Sequence, residues 1–452
     1  MNFQQAVEYL LGLGHETLTI KLGLRNTELL LQGLNNPQQK YPAIQIAGTN
    51  GKGSTAAFID SICRSANIKT GLYTSPHLDS ITERIKLGGV EISRDEFAQH
   101  ATTVKRAAER LLETGQTETI PTFFEQATAI ALVAFRHAQI ELAILETGLG
   151  GRLDSTTAAN AKICAITQIA RDHEEYLGDT LESIAAEKAA IIRPGVSVVV
   201  APQEPEALSV IVGRCQEVGV EPAIDRCRTS NQQSSDDGRI QVTFETLTQR
   251  YENVWLGLRG QHQVENAAVA IQLAETLANR GFSISPLAIV RGLENVSHAG
   301  RLELIEGRPA FLLDGAHNVA GAKALRSFLE KFASRPLTII FGAMRDKPIE
   351  EIAQLLFPVA DQVILTPVQN PRSASIEELN YVAKEFRSSQ IVSVATCTDA
   401  VKLAIQTTEP QGMICITGSL YLIGETRNLI INRCNSEISE PNAAAAGKVQ
   451  SN

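Results

Sequence analysis

The sequence predicts an α/β protein of two domains, each a mostly parallel sheet flanked by helices, and three observations carry that prediction. Short apolar runs such as "AIQIAG", "ELAILETG" and "KICAITQIA" alternate with longer amphipathic stretches, the pattern of right-handed strand–helix–strand units. These runs lack polar alternation, as strands covered on both faces of a parallel sheet do. At 452 residues the chain exceeds what one core organises, and the alternation pauses in a polar stretch over 223–258 before restarting at "AFLLDGAHN". The boundary is expected in "SHAG", with domains over 1–296 and 297–436 and a small, polar, disordered tail over 437–452.

In chain order, "AIQIAG" is a strand that passes through a glycine loop into the helical "STAAFIDSICRSA". "KTGLYTS" is the next strand, and "RIKLGGVEIS" is a hairpin whose alternation breaks at Gly-Gly. "PTFFEQATAIALVAFRHA" is a helix in which Thr122 and Glu125 have capping-box spacing. Two sheet-interior strands follow. "DTLESIAAEKAAII" is then a helix with Asp179 at its N-cap and Pro194-Gly195 as its stop. "VSVVVAP" is a strand, "HQVENAAVAIQLAETLANRG" a long helix ending at Gly281, and 286–295 a short helix. Beyond the boundary, "AFLLDGAHN", "PLTIIFGAM", "DQVILTPV", "QIVSVAT" and "GMICITGS" are strands separated by helices.

A formal net charge of -9 argues against a nucleic-acid surface, which needs clustered Lys and Arg, but leaves room for a local phosphate pocket. The seven cysteines are scattered without metal-ligand spacing and read as reduced thiols of a cytoplasmic protein. The start lacks the pattern of a signal peptide, and no apolar run approaches the roughly 20 residues that cross a bilayer. No membrane partner is expected.

The chemistry-bearing residues fall where strands give way to loops. In "AGTNGKGS" only Thr49 and Asn50 separate Gly48 from Gly51-Lys52, and Gly53 precedes Ser54, so the usual phosphate-loop spacing is not met. Strand, glycines and helix still point free N–H groups and the positive helix end at a phosphate, with Lys52 in reach of it. The alternative is a tight turn with a surface lysine. Ser75 and His77 in "LYTSPHL" fall at the carboxyl edge of the sheet, where open α/β sheets bind ligands, or in an ordinary turn. Glu146 ends an apolar strand before three glycines; a carboxylate there suits Mg²⁺ or caps a turn. Arg152 and Asp154 follow it. Asp172-His173 repeat the strand-end position, as ligand or as hydrogen-bonded structural pair. Lys188 sits among apolar residues, where burial favours the neutral amine unless the side chain snorkels. Arg301 follows the expected boundary, and Asp314 ends a strand before a helix that Asn318 caps, although Asp-Gly is equally a plain turn signal.

Taken together, "GTNGKGS", "TSPHL", "TFFEQAT", "LETGLGGRLDST", "DHEEYLG", "AEKAAIIRPG", "HQVENAA", "GRLE" and "DGAHN" resemble the folylpolyglutamate synthases and bifunctional dihydrofolate synthase/folylpolyglutamate synthases of the Mur ligase superfamily. The resemblance runs from about residue 20 to 430, and the shorter "GTNGK" loop is characteristic of that superfamily. It implies an N-terminal P-loop ATPase-type sheet, a smaller Rossmann-like C-terminal domain, and ATP-dependent addition of L-glutamate to folates and to dihydropteroate. By the same resemblance Thr49, Asn50, Gly51, Lys52, Gly53 and Ser54 hold the ATP phosphates, with Asn266, Arg301 and Asp314 as further ATP contacts, the last two from the second domain. Ser75, Glu146 and His173 match ligands of two Mg²⁺ ions, and Lys188 matches a lysine carbamylated by CO₂. Lys52, His173 and Lys188 are the implied catalytic residues.

Thr122, Phe123, Phe124 and Glu125, with Leu153, Asp154 and Ser155, match segments beside the pterin. Glu125 also reads as a capping-box partner, and the two phenylalanines also read as core. The implied enzyme is a cytoplasmic monomer acting on small molecules. The chain departs from the pattern at Ala190, where Gly is usual, and at His298-Ala299, where Trp-Pro or a proline is common.

Overall fold

The apolar runs become the strands of two separate parallel-dominated sheets. The computed structural model describes residues 1–14, 23–386 and 390–439. The chain divides into two units, Met1–His298 and Ala299–Asn452.

In the first unit the strands are β1 (Ala43–Ala47), β2 (Thr70–Tyr73), β3 (Ile85–Leu87), β4 (Val90–Glu91), β5 (Leu142–Glu146), β6 (Ile163–Ile166), β7 (Ser197–Val200) and β8 (Pro222–Ile224). They form one sheet in the order β4-β3-β2-β5-β1-β6-β7-β8. Only the β2/β3 and β3/β4 pairs are antiparallel: the 74–84 connection turns the chain back from β2 into β3, and Gly88-Gly89 turns it again into β4. Every residue of β1, β5 and β6 is buried. Their side chains alternate between two apolar layers, as the two-residue strand period requires. Ile44, Ile46 and Ile144 join Phe58, Ile62 and Leu273 of the Lys52–Ser65 and His262–Asn279 helices in one cluster. Ala43, Ala143 and Leu145 join Phe97, Ile130 and Phe135 of the Arg94–Glu113 and Phe123–His137 helices in another.

The polar 223–258 stretch folds into a three-stranded antiparallel sheet of β9 (Cys227–Ser234), β10 (Ile240–Thr246) and β11 (Arg250–Trp255), ordered β11-β10-β9. Ile240, Val242 and Phe244 of β10 join the first of those clusters, while β9 is almost wholly exposed.

In the second unit β12 (Glu303–Ile305), β13 (Ala310–Leu313), β14 (Leu337–Phe341), β15 (Gln362–Leu365), β16 (Gln390–Ser393) and β17 (Met413–Thr417) are ordered β12-β13-β17-β14-β15-β16. Edge strand β12 is antiparallel to β13, and the remaining pairs are parallel.

Three expectations change in detail. The helix around Lys188 is Leu181–Ala189, capped by Thr180 rather than Asp179, because Thr180 and Ser183 close a reciprocal capping box. That helix ends at Ala189, before Pro194 is reached. The antiparallel β12 was not foreseen in "GRLE". The C-terminal helix runs through Ser439, into the stretch expected as a tail, and residues 440–452 lie outside the described residues. Among the described residues, no helix is long and apolar enough to cross a membrane.

Candidate active site

Buried β1 delivers the glycine loop to the carboxyl edge of the first sheet. Gly48 has φ +154, and a side chain on it would collide with the Thr167 hydroxyl at the end of β6. This close approach lets the loop dock on the 167–170 segment. The Thr49 and Asn50 N–H groups donate to the Gln168 carbonyl at 2.9 and 3.1 Å, and the Thr49 hydroxyl donates to the Ala170 carbonyl at 3.0 Å. The Lys52–Ser65 helix then begins at Gly51, which offers no side-chain cap. Its first-turn amides are therefore presented without a side-chain acceptor, the arrangement that receives phosphate. Lys52 Nζ folds back and donates to the Gly48 and Thr49 carbonyls at 2.9 and 3.0 Å.

The His262–Asn279 helix closes the other side of the loop. Asn266 lies against Gly51 and donates to Gln263 Oε1 at 2.9 Å, while Gln263 Nε2 donates to buried Ser54 at 3.3 Å. Gln263 was inside "HQVENAA", but nothing in its chemistry alone singled it out.

Glu146, the last residue of β5, lies in register with Ile46 of β1 and is 5% exposed. Its Oε2 accepts the Ser75 N–H at 3.2 Å. A methyl group built on Gly53 would have both Glu146 oxygens at 3.4 Å and His298 Nε2 at 3.0 Å. Ser75, Glu146 and the helix start thus face one small polar space. A carboxylate and a hydroxyl beside a phosphate site suit Mg²⁺, which takes few protein oxygens and keeps the rest for water and phosphate. Among the described residues, no three His, Cys, Asp or Glu side chains form a ready-made metal cage.

Lys188 is buried, and its Nζ donates to the Gly48 carbonyl at 2.9 Å, the same oxygen that receives Lys52. Burial, then the neighbouring Lys52 charge, push its pKa down to about 7 against the opposing pull of Asp172, Asp154 and Glu187. Above neutrality the uncharged amine is thus favoured, the nucleophilic form that adds to CO₂. His173 heads the Glu174–Leu177 helix in a left-handed conformation, its Nε2 3.9 Å from Asp172 Oδ2.

The Thr122–Glu125 capping box is present. The Glu125 carboxylate accepts the Thr122 N–H at 2.7 Å and hydroxyl at 2.9 Å, and the hydroxyl of Thr27 at 3.3 Å. It ties the Arg25–Gly33 helix to this segment. The two phenylalanines separate: Phe123 is buried beneath the Arg84 guanidinium, whereas Phe124 is half-buried, with its ring against Gly148. Ser155 shares a hydrogen bond of 2.9 Å with Thr128 and donates to the Phe124 carbonyl at 3.4 Å, and Leu153 beside it is half-buried. Asp154 is sealed in. Its Oδ2 accepts the Gly148 and Leu149 N–H groups at 2.8 and 3.1 Å, and its Oδ1 accepts the Thr156 N–H at 2.9 Å. It braces the loop that supports Phe124. Burial pushes its pKa up, against these hydrogen bonds.

In the second unit, Asp314 follows β13 and accepts the Leu302 and Ala316 N–H groups at 2.9 and 3.0 Å. Burial raises its pKa, and the Arg301 charge opposes that rise. Asn318 caps the Val319–Phe332 helix through Gly321 N.

Two family models match the chain: the Mur ligase middle domain over residues 46–274 and the Mur ligase glutamate ligase domain over 300–420. The dihydrofolate synthase/folylpolyglutamate synthase of Bacillus subtilis is 35% identical, covering 90% of this chain and 95% of its own length. The chain belongs to the dihydrofolate synthase/folylpolyglutamate synthase family of Mur ligases. The Mycobacterium tuberculosis member is 31% identical, with 94% of this ligase and 93% of the relative covered. A solved Mycobacterium tuberculosis folylpolyglutamate synthase, complexed with ADP and AMPPCP, superimposes with a TM-score of 0.86 at 31% identity, covering 95% and 99% of the two chains. An Escherichia coli structure in complex with DHPP and ADP gives a TM-score of 0.84 at 29% identity over 96% and 98%. The middle-domain match of this Mur ligase falls in its first unit, and the glutamate ligase match falls in its second.

Proposed function

We propose that this ligase joins the amine of L-glutamate to the carboxylate of a folate, and of dihydropteroate, driven by ATP through an acyl phosphate. The observation that carries the reading is the meeting of an uncapped phosphate-loop helix, Lys52, Glu146 and Lys188 around Gly48 and Gly53. The relatives solved with ADP, AMPPCP and DHPP support it.

In this reading the ATP phosphates lie along the first-turn amides of the Lys52–Ser65 helix, with Asn266 and Ser54 at its flank. Lys52 leaves the Gly48 and Thr49 carbonyls for the phosphate oxygens as their charge grows in the transition state. The acceptor carboxylate attacks the γ-phosphorus in line and ADP departs. The glutamate amine then attacks the acyl carbon, and phosphate leaves with the bonding electron pair. No protein nucleophile takes part.

Glu146 and Ser75 are the residues that would hold one Mg²⁺, and His173 with carbamylated Lys188 a second. When bound, Mg²⁺ offsets the negative charge on the transferring oxygens. Lys188 in its neutral form adds to CO₂, forming an N–C bond and releasing one proton. Phe124, Leu153 and Ser155 frame the pterin, and Asp154 and Glu125 hold that frame in place. The enzyme acts as a cytoplasmic monomer.

The test is purified full-length protein with ATP, Mg²⁺ and labelled glutamate, supplied with tetrahydrofolate or dihydropteroate. Label entering both acceptors, with phosphate release that requires acceptor and glutamate together, is the expected result. Label entering neither would overturn the reading, and label entering tetrahydrofolate alone would remove the dihydrofolate synthase half.

A further inference from the structure

The sequence marks His298 only as a departure near the domain boundary, yet the structure places its imidazole at the phosphate loop. The Nε2 atom stands 3.0 Å from the position a Gly53 methyl would take, and both Glu146 oxygens stand 3.4 Å from that same position. An imidazole nitrogen and a carboxylate therefore border one space at the start of the phosphate-loop helix. The chain leading to His298 is anchored. Val296 is buried, its carbonyl oxygen lies 2.5 Å from where a Gly257 methyl would be, and Gly257 N–H donates to the Leu293 carbonyl at 2.9 Å. Only Ser297 separates that anchor from His298, so the ring is held at the loop within the first unit.

We propose that His298 is a further ligand for the cation held by Glu146 and Ser75, and that it sets which cation this ligase prefers. The inference rests on the reading of Glu146 and Ser75 as a cation site. Oxygen-only sites suit Mg²⁺, whereas an imidazole nitrogen raises affinity along the series from Mn²⁺ towards Co²⁺ and Ni²⁺. A chain with Trp here would leave an oxygen-only site. With His298 the balance moves towards Mn²⁺ and Co²⁺ relative to Mg²⁺.

The experiment uses full-length protein with AMPPCP and Mn²⁺, read by pulsed electron paramagnetic resonance and by Mg²⁺ competition. In a background carrying His77→Ala and His173→Ala, which removes the histidines beside Ser75 and Asp172, the Mn²⁺ signal is expected to show coupling to a histidine nitrogen. Labelling with [¹⁵N]histidine changes that coupling in an otherwise unaltered chain. Replacement by His298→Gln, which keeps a polar side chain, should abolish the coupling and lower the Mn²⁺/Mg²⁺ affinity ratio about tenfold. A coupling that persists in His298→Gln, or an unchanged ratio, overturns the proposal. Glu146→Gln separates the two levels. If it leaves Mn²⁺ affinity intact, the cation-site reading itself fails; if it weakens Mn²⁺ while His298→Gln does nothing, only the role of His298 fails.

Discussion

Burial disfavours the charged form of Lys188, and its pKa of about 7 lies below the ordinary 10.5. Between those two values the unfolded chain holds a proton that the folded chain has lost, so this lysine makes stability rise with pH across that window. Below about pH 7 both states are protonated and the penalty is present in full. In CO₂-free buffer, Lys188→Met is therefore expected to unfold at a higher temperature than the unaltered chain at pH 6, with the gap closing towards pH 10 in thermal melts. The same variant should lose glutamate ligation by about ten- to a hundredfold, the scale seen when a metal-supporting group is removed. Added bicarbonate should stimulate the unaltered enzyme more at pH 8 than at pH 6, because the neutral amine dominates at the higher pH. Gly53 offers a second residue-scale test. A Gly53→Ala methyl enters the space bordered by His298 and Glu146, while alanine in a helix gains roughly 0.5–1 kcal/mol over glycine. The expected outcome is a protein at least as stable as the parent in denaturant titration that has lost most of its ligase activity.

At the scale of elements, the loop after β5 is held from within by Asp154, which gathers three backbone N–H groups out of water. Asp154→Ala orphans those donors and should cost about 2–3 kcal/mol, with the KM for the pterin acceptor rising more than the KM for ATP. A Phe124→Ala variant should raise the acceptor KM without comparable loss of stability, because that ring is half-exposed whereas Phe123 is core. The sequence made the element order readable because β1, β5, β6, β14 and β17 are buried along their whole length and so written as largely apolar runs, interrupted by single residues such as Gln45 and Thr338. Strand β9, "CRTSNQQS", lies in the polar 223–258 stretch, where the sequence shows only short β-like runs without bounds, and β12 is three residues long, too short to show a period. Asp179 and Thr180 are adjacent and both suited to capping; the reciprocal bond from Ser183 decides between them. Of the candidate site, the loop ends were legible because strand-to-loop transitions mark them. The sharing of one carbonyl by Lys52 and Lys188 and the placement of His298 depend on contacts distant in sequence, which no local pattern records, whereas the brace role of Asp154 rests on bonds within its own loop.

For the whole molecule, the two units have separate buried cores. Calorimetry of the full chain should resolve two transitions. AMPPCP with Mg²⁺ at a hundred times its Kd should stabilise the phosphate-loop unit by about 2.7 kcal/mol, raising that transition preferentially. Equal movement of both would show that they melt as one. Within the first unit, Glu146 and the Gly148 against which Phe124 rests are separated by a single residue, Thr147. In the proposed reading, so short a tether leaves almost no slack between the place where an acceptor ring would be seated and the carboxylate that would face the transferring phosphate. An ill-fitting ring would pull on that carboxylate, and the enzyme would reject it by turning over slowly, even where the ring still binds.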